Sequence, residues 1–305
     1  MLVVWLRGVR ISLGLLVIVF GGMTLWASSI TCPRVPADPR GELFSPELAN
    51  IDTVDKAEVW IRGKLGPHAS EAEIADQVTL FMQRRFYHGL STLKPCDNWL
   101  ASLTGLVSET LAAPVRPDDI LKYRRAICSQ QAIVLQALFA RFGLQFATVG
   151  INLPPHMMAA AKIDGVWAVY DSDMEPHRRG LVPVASLNDG RVWKKLYAGK
   201  AGLPGYGPGD IGDQWARAAG KGGVELKWIN QNPAPRGAIL HATQEFLSHF
   251  GWLVFLLLFL LSCAGPAGSD RHARLPLRYL PPHPLRVRIT AFALAPAFGR
   301  IATLR

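Results

Sequence analysis

The sequence has few of the residue patterns that assign a chain to a common metal or cofactor class. Its four cysteines and eight histidines form no C-x-x-C or H-x-x-x-H pair, so we expect no metal site. No internal repeat is visible, and no motif implies a cofactor. The chemistry of this chain is therefore expected to come from its own side chains.

The central part of the chain also lacks an excess of charge, although the formal net charge is +10. Residues 1–30 contain two arginines and no acidic residue, and residues 266–305 contain seven arginines against Asp270. Eight of the ten net charges therefore lie at the two ends, which leaves +2 for residues 31–265. A nearly neutral segment of that length has no electrostatic footprint for nucleic acid, so nucleic acid is not an expected partner.

Two segments contain no charged residue at all, namely residues 11–30 and 246–264. A helix of about 20 apolar residues crosses the hydrocarbon core of a bilayer, which is about 30 Å thick. We therefore predict a transmembrane anchor within residues 1–30 and a second transmembrane helix at residues 238–265. For the first segment a cleaved signal peptide remains an alternative, because small residues at 27–29 offer a cleavage site.

Basic residues flank these two segments on their outer sides, toward the chain termini. Arg7 and Arg10 precede the first segment, and Arg271, Arg274 and Arg278 follow the second. The positive-inside rule then places both termini in the cytoplasm. The expected location is the inner membrane, with the domain between the two helices on the periplasmic side.

The chain between and after the membrane segments divides by composition. The predicted parts are a linker at 31–69, a domain at 70–198, a Gly/Pro-rich loop at 199–237 and a basic cytoplasmic tail at 266–305. A short helix near 214–219 remains an alternative within that loop. Within the domain the apolar pattern is helical up to Gly143 and extended after it. Helices followed by an antiparallel sheet predict an α+β fold.

Cys128 stands at the start of one predicted helix, which Gly143 ends. A cysteine in the first turn of a helix faces the positive end of the helix dipole, which favours the thiolate over the thiol. The thiolate is the nucleophilic form, so Cys128 is a candidate nucleophile. Cys32 and Cys96 could pair in an oxidising compartment and leave Cys128 free, but spacing does not fix the connectivity.

A histidine and two aspartates follow in a predicted hairpin whose turn is Asp164-Gly165. With that turn, residues facing each other have numbers that sum to 329. His156 then faces Asp173 and lies diagonally from Asp171 on the same face of the sheet. Either carboxylate could orient the imidazole, and a helix packed on that face would bring Cys128 to it.

These residues resemble the core of the transglutaminase-like superfamily over roughly residues 70–175. The matching segments are Cys128-Ser-Gln-Gln, His156-Met-Met-Ala and Gly165-Val-Trp167-Ala-Val-Tyr-Asp171. The resemblance implies a transglutaminase-like, papain-like domain with the catalytic triad Cys128, His156 and Asp171, in a bacterial membrane-anchored member. It also implies that Trp167 is structural.

In such a triad the thiolate attacks an acyl carbon, the imidazole transfers the proton, and the carboxylate orients the imidazole. The backbone N–H of Cys128 would be one oxyanion donor. The second donor remains open among four residues: Trp99, Tyr123, Gln130 and Gln131.

The leading functional hypothesis is a membrane-anchored enzyme that hydrolyses or transfers an amide acyl group through a cysteine thioester. Its substrate would be a peptide, protein or glycopeptide of the cell envelope. The alternative is a catalytically inactive scaffold of the same fold that binds peptide or glycan in a cell-envelope or polysaccharide-export assembly.

Overall fold

The structure is a computed structural model that describes residues 2–32, 42–152, 155–174, 176, 180–200, 209–222 and 224–264. The predicted basic tail at 266–305 lies outside the described residues, as do parts of the predicted linker and of the Gly/Pro-rich loop. Helices and small sheets together make the described chain an α+β protein.

The helices of the described chain follow in sequence order. They are α1 (Leu2–Ser29), α2 (Val54–Arg62), α3 (Glu71–Arg85), α4 (Pro95–Thr104), α5 (Pro117–Leu121), α6 (Cys128–Arg141), α7 (Gly190–Leu196), α8 (Ile211–Gly222) and α9 (Pro235–Ala264). Short 3₁₀ helices lie at Pro46–Asn50, Glu109–Leu111 and Val184–Asn188.

The strands form two sheets. A two-stranded parallel sheet pairs β1 (Tyr87–His88) with β2 (Arg125–Ala126). The larger sheet is antiparallel and has the order β5-β4-β3-β6, with β3 (Phe146–Asn152), β4 (Pro155–Ile163), β5 (Val166–Tyr170) and β6 (Glu225–Lys227).

The predicted hairpin is present between β4 and β5. Ile163 pairs with Val166, and the two turn residues Asp164 and Gly165 both have positive φ, at 48° and 83°. Two left-handed residues in a two-residue turn match the twist of the flanking strands, which explains the Asp-Gly sequence. This register sets which side chains of the hairpin share a face.

The larger sheet has helices on both faces. Alternate residues of β4 belong to different cores: Ala159 and Ala161 pack in the core formed with α2, α3 and α6, whereas Met158 and Ala160 pack in the core formed with α7 and α8. Strand side chains alternate between faces, so one strand supplies both cores. His156 has the same parity as Met158 and therefore faces the α7 and α8 side.

Two predicted boundaries need correction. The segment assigned to a linker at 31–69 contains α2, whose Val54, Ala57 and Ile61 are buried in the core. The segment assigned to a Gly/Pro-rich loop at 199–237 contains α8 and β6. Thr53 accepts a hydrogen bond from the first turn of α2, and α8 contributes buried Ile211 and Trp215 to the second core. The Pro and Gly content around these helices hid their apolar faces.

The helices α1 and α9 are both long and apolar enough to span a membrane. Two contacts show that they pack antiparallel. Arg10, near the start of α1, donates hydrogen bonds to the carbonyl of Ser262 near the end of α9, and Thr24, near the end of α1, donates to the carbonyl of Ser248. Antiparallel spans place the chain between them on one side of the bilayer.

The helices α1 and α9 are also tied to the domain. Trp99 of α4 donates a 3.0 Å hydrogen bond to the carbonyl of Ser248 in α9. A disulfide joins Cys32, three residues after the end of α1, to Cys96 of α4, with 5.9 Å between the Cα atoms. The pairing that the sequence left open is thus present, and Cys128 is a free thiol.

Candidate functional site

Cys128 is the first residue of α6, and its side chain is half-buried. The side chain of Ile127, the residue before it, has no oxygen that could cap the helix, so another side chain supplies the cap. The side chain of Gln130 accepts hydrogen bonds from the backbone N–H groups of Ile127 and Ser91, at 3.3 and 3.1 Å. Gln130 also donates to the carbonyl of Ser91 at 3.0 Å, which ties the start of α6 to the neighbouring loop.

The loop before this helix is held by a fully buried arginine at the end of α3. The guanidinium of Arg85 donates to the carbonyls of Ile51, Leu121 and Tyr123. Burial lowers the pKa of Arg85 to about 10, so the group stays charged at neutral pH. Three carbonyls bound by one buried cation fix the backbone that leads into Cys128.

His156 and Asp171 form a buried pair. The Nε2 atom of His156 lies 2.8 Å from the carboxylate of Asp171, and both side chains are almost inaccessible to solvent. Asp171 follows β5 directly, so the pair lies diagonally across the hairpin, as the predicted register allows. Since Asp171 occupies Nε2, the other ring nitrogen, Nδ1, is available to a thiol.

The thiol of Cys128 lies beside this pair. Its Sγ atom, a ring nitrogen of His156 and a carboxylate oxygen of Asp173 lie within 4.8 Å of one another. From the sequence, α6 is expected to pack on the face of the sheet that bears His156. Instead α6 packs on the opposite face of the sheet. Cys128 reaches His156 at the start of β4, where His156 is the second residue.

The charges of the pair reinforce each other. Burial acts to lower the pKa of His156, but the carboxylate of Asp171 and hydrogen bonds with Asp171 and Cys128 raise it well above its ordinary value. Burial acts to raise the pKa of Asp171, but the charge and hydrogen bond of His156 and the hydroxyl of Tyr197 lower it. An imidazolium beside a carboxylate is therefore the favoured state.

Four further contacts hold the pair in place. The hydroxyl of Tyr197 donates to Asp171 at 2.7 Å, and backbone N–H groups of Asp173 and Met174 donate to its other oxygen. Trp215 of α8 stacks on the ring of His156. Nothing in the local sequence marked Tyr197 or Trp215, because both come from helices remote along the chain.

Asp173, the rival carboxylate, has partners of its own. Its oxygens lie 2.9 and 3.0 Å from Nδ1 of His88, and Oδ1 accepts a 2.8 Å hydrogen bond from Gln131. Burial raises the pKa of Asp173, despite the opposing effect of His88. Burial acts to lower the pKa of His88, but the hydrogen bond and charge of Asp173 raise it. His88 was not a predicted site residue, and β1 is too short to give a sequence signal.

The four candidates for a second oxyanion donor are all bonded elsewhere. Gln131 donates to the carbonyl of Ala126 and to Asp173, and Gln130 donates to the carbonyls of Ser91 and Pro114. Trp99 donates to α9, and the hydroxyl of Tyr123 donates to Asp97 at 2.6 Å. The backbone N–H of Cys128 is left as the donor that the helix start provides.

A thiolate, an imidazole and a carboxylate are also ligands that zinc accepts, and the donor atoms of Cys128, His156 and Asp173 are close enough together to share an ion. The oxygens of Asp173 are already engaged by His88 and Gln131. A metal ion would have to displace those hydrogen bonds.

No protein-family model, no curated protein and no solved structure matches this chain. The function is therefore inferred from the residues of the site.

Proposed function

We propose that this chain is a membrane-anchored thiol enzyme with a transglutaminase-like domain, which cleaves or transfers an amide acyl group. Cys128 is the nucleophile, His156 carries the proton, and Asp171 orients the imidazole. The observation that supports this most is the placement of a free thiol, at the start of a helix, beside an imidazole whose other nitrogen is held by a carboxylate at 2.8 Å.

In the first half of the reaction the sulfur of Cys128, whose proton already lies on Nδ1 of His156, attacks the acyl carbon of the amide. The carbonyl oxygen becomes an oxyanion, which the backbone N–H of Cys128 stabilises. The C–N bond then breaks, and His156 gives its proton to the leaving amine. The product is a thioester on Cys128.

In the second half a water or an amine attacks the thioester, and His156 accepts its proton. The C–S bond breaks, and the sulfur leaves with its electron pair beside His156, which keeps the proton. Attack by water makes the protein a peptidase or amidase, and attack by an amine makes it an acyltransferase. The substrate is a peptide, protein or glycopeptide of the cell envelope.

The domain lies on the periplasmic side of the inner membrane with both termini in the cytoplasm. The antiparallel packing of α1 and α9 supports a shared side for the termini, and the Cys32–Cys96 disulfide supports an oxidising compartment for the domain. Reporter fusions at residues 120 and 290 test this arrangement, since they should report opposite sides of the bilayer. The same side for both would contradict it.

The proposed chemistry is tested by labelling the full-length protein with a thiol-reactive acyl probe. Cys263 is exposed and free, so a Cys263→Ser background confines labelling to Cys128. Cys128→Ala should abolish labelling, and His156→Ala should slow it at least tenfold, because the thiol loses its proton acceptor.

His68→Ala is the matched control, because His68 is exposed and remote in sequence from the site. It should label at the wild-type rate. Equal labelling of the wild type and the His156→Ala variant would mean that the thiol is not activated. The inactive scaffold that binds peptide or glycan would then be the better interpretation.

A further inference from the structure

A second concave site lies between the membrane anchor and the catalytic helix. It is a cavity of about 180 Å³. Cys32, which follows the anchor α1, contributes to one part of its wall, and residues 122–125, which lead into Cys128, contribute to another. Because the Cys32–Cys96 disulfide fixes that wall next to α1, the cavity lies at the membrane-proximal end of the domain.

The lining of this cavity is strongly basic. Four cationic side chains, Lys94, Lys122, Arg124 and Arg125, face one carboxylate, Asp97. Asp97 accepts the hydroxyl hydrogen bond of Tyr123, and Lys122 pairs with Asp119. Among the residues that the structure describes, no ion pair satisfies the other three cations, which are half-buried.

Unpaired cations in a partly desolvated cavity favour an anionic ligand, because burial of a charge without a counter-charge is costly. Two arginines in the lining suit a phosphate, whose oxygens accept paired N–H bonds from arginine. Thr92 adds a hydroxyl to the lining. With the Asp97 carboxylate counted, the three remaining cations leave an excess charge of +2, which exceeds the charge of a single carboxylate and matches that of a phosphate.

The cavity is distinct from the catalytic site. In the short parallel sheet Tyr87 pairs with Arg125, and both line the cavity, whereas the next residue, His88, reaches Asp173. Neighbouring side chains in a strand point to opposite faces. The two sites thus lie on opposite sides of this ladder, and a ligand in the cavity does not touch Cys128.

We infer that this cavity binds a phosphate or pyrophosphate group at the membrane surface, held by Lys94, Arg124 and Arg125. The group belongs either to the headgroup of an anionic lipid or to a free phosphate compound. This site does not depend on the proposed acyl chemistry, and the test therefore uses the full-length Cys128→Ala protein in neutral detergent.

Two ligands are titrated separately and followed by native mass spectrometry. One is inorganic pyrophosphate, and the other is short-chain phosphatidylglycerol with short-chain phosphatidylcholine as its neutral reference. We expect saturable binding of one anionic ligand per chain, weakened at least tenfold by Arg124→Gln combined with Arg125→Gln. Pyrophosphate alone would identify a free phosphate compound, and phosphatidylglycerol alone would identify a lipid headgroup. Binding of both would assign the phosphate itself as the recognised group.

The matched control removes two exposed positive charges elsewhere, with Lys64→Gln and Lys195→Gln. It should bind like the parent protein. Lys94→Glu serves as a second cavity variant if the double arginine variant does not fold. No binding of either ligand at millimolar concentration, or a loss that the control variant shares, would overturn the inference. An affinity that stays within threefold of the parent protein in the cavity variants would also overturn the inference.

Discussion

The indole of Trp215 stacks on the imidazole of His156, with 4.5 Å between the ring centroids and 23° between the ring planes. Trp215 is fully buried and His156 nearly so. A stacked ring covers one face of the imidazole and leaves its in-plane nitrogens to Asp171 and Cys128. Trp215 therefore fixes the plane in which His156 exchanges its proton.

Replacement of Trp215 should disturb proton transfer as well as stability. Trp215→Leu should slow alkylation of Cys128 by iodoacetamide at least tenfold at neutral pH, whereas Trp215→Phe, which keeps an aromatic ring, should stay within threefold. Replacing a buried Trp with Ala costs about 3–5 kcal/mol of stability. Circular dichroism must therefore show that each variant is folded. Trp228→Leu, at an exposed position, is the control. Equal alkylation rates for all variants would show that the stack has no positioning role.

The His156–Asp171 pair should stabilise the fold over a defined pH range. Because the folded pKa of His156 is raised, its contribution is complete below the ordinary value of 6.5 and is lost as pH rises through the folded pKa. Because the folded pKa of Asp171 is lowered, its contribution is complete above 3.8 and is lost as pH falls through the folded pKa.

The difference in Tm between the wild type and Asp171→Asn should therefore be largest between pH 3.8 and 6.5. Thermal unfolding followed by circular dichroism measures it. Asp164→Asn, in the exposed turn, is the control and should show no such maximum. A difference that does not vary with pH would mean that the two groups are not an ion pair.

The two histidines of the site, His88 and His156, should titrate under the control of different aspartates. NMR of ring-labelled histidine should show that Asp171→Asn lowers the pKa of His156, because that carboxylate raises it. Asp173→Asn should instead lower the pKa of His88. The two variants act as controls for each other. Because Asp173 and His156 also interact through their charges, His156 should respond to both variants but more strongly to Asp171→Asn, and a larger response to Asp173→Asn would contradict the separate pairs.

The disulfide should contribute substantially to stability. Its two cysteines are 64 residues apart, and closing a loop of that length stabilises a fold by about 4 kcal/mol in the chain-entropy account. Cys32→Ser with Cys96→Ser should lower the Tm, and a reductant should lower that of the wild type similarly. Cys263→Ser should have no effect. An unchanged Tm in the double variant would show that α1 needs no covalent link to α4.

The contact between α1 and α9 should tolerate no side chain at Gly251. A Cβ there would lie 2.5 Å from the ring of Phe20, which also packs against Trp99 and Phe255. Gly251→Ala should lower the Tm in detergent, since overpacking costs about 1–3 kcal/mol. At Gly22 an added Cβ meets no atom within 4 Å, so Gly22→Ala should leave the Tm unchanged. Equal Tm values would place the helices further apart.

Local sequence was sufficient for the hairpin and for the two apolar helices. The Asp164-Gly165 turn fixes the register, and the register places His156 on one face with Asp171 and Asp173. Charge-free runs long enough for a bilayer are visible in the sequence itself. The choice between the two aspartates was not visible, because it depends on His88 and Tyr197, which approach from other elements.

Sequence also misplaced the partners of the sheet. The helix α2 was assigned to a linker, and α8 to an irregular loop that contained at most a short helix, because proline and glycine near them masked short apolar faces. Both helices supply buried residues, and α8 supplies the ring that covers His156. Packing against the sheet, more than helix propensity, stabilises such short helices.

Taken alone, the order of residues determined the spacing of thiol, imidazole and carboxylate, the turn between the strands and the apolar lengths of α1 and α9, since each depends on neighbours a few residues apart. Tertiary structure decided that α6 packs on the face opposite His156, that Asp171 holds His156 while Asp173 holds His88, and that Trp215 closes the site. Those outcomes depend on which distant apolar surfaces bury one another, and no local pattern contains that information.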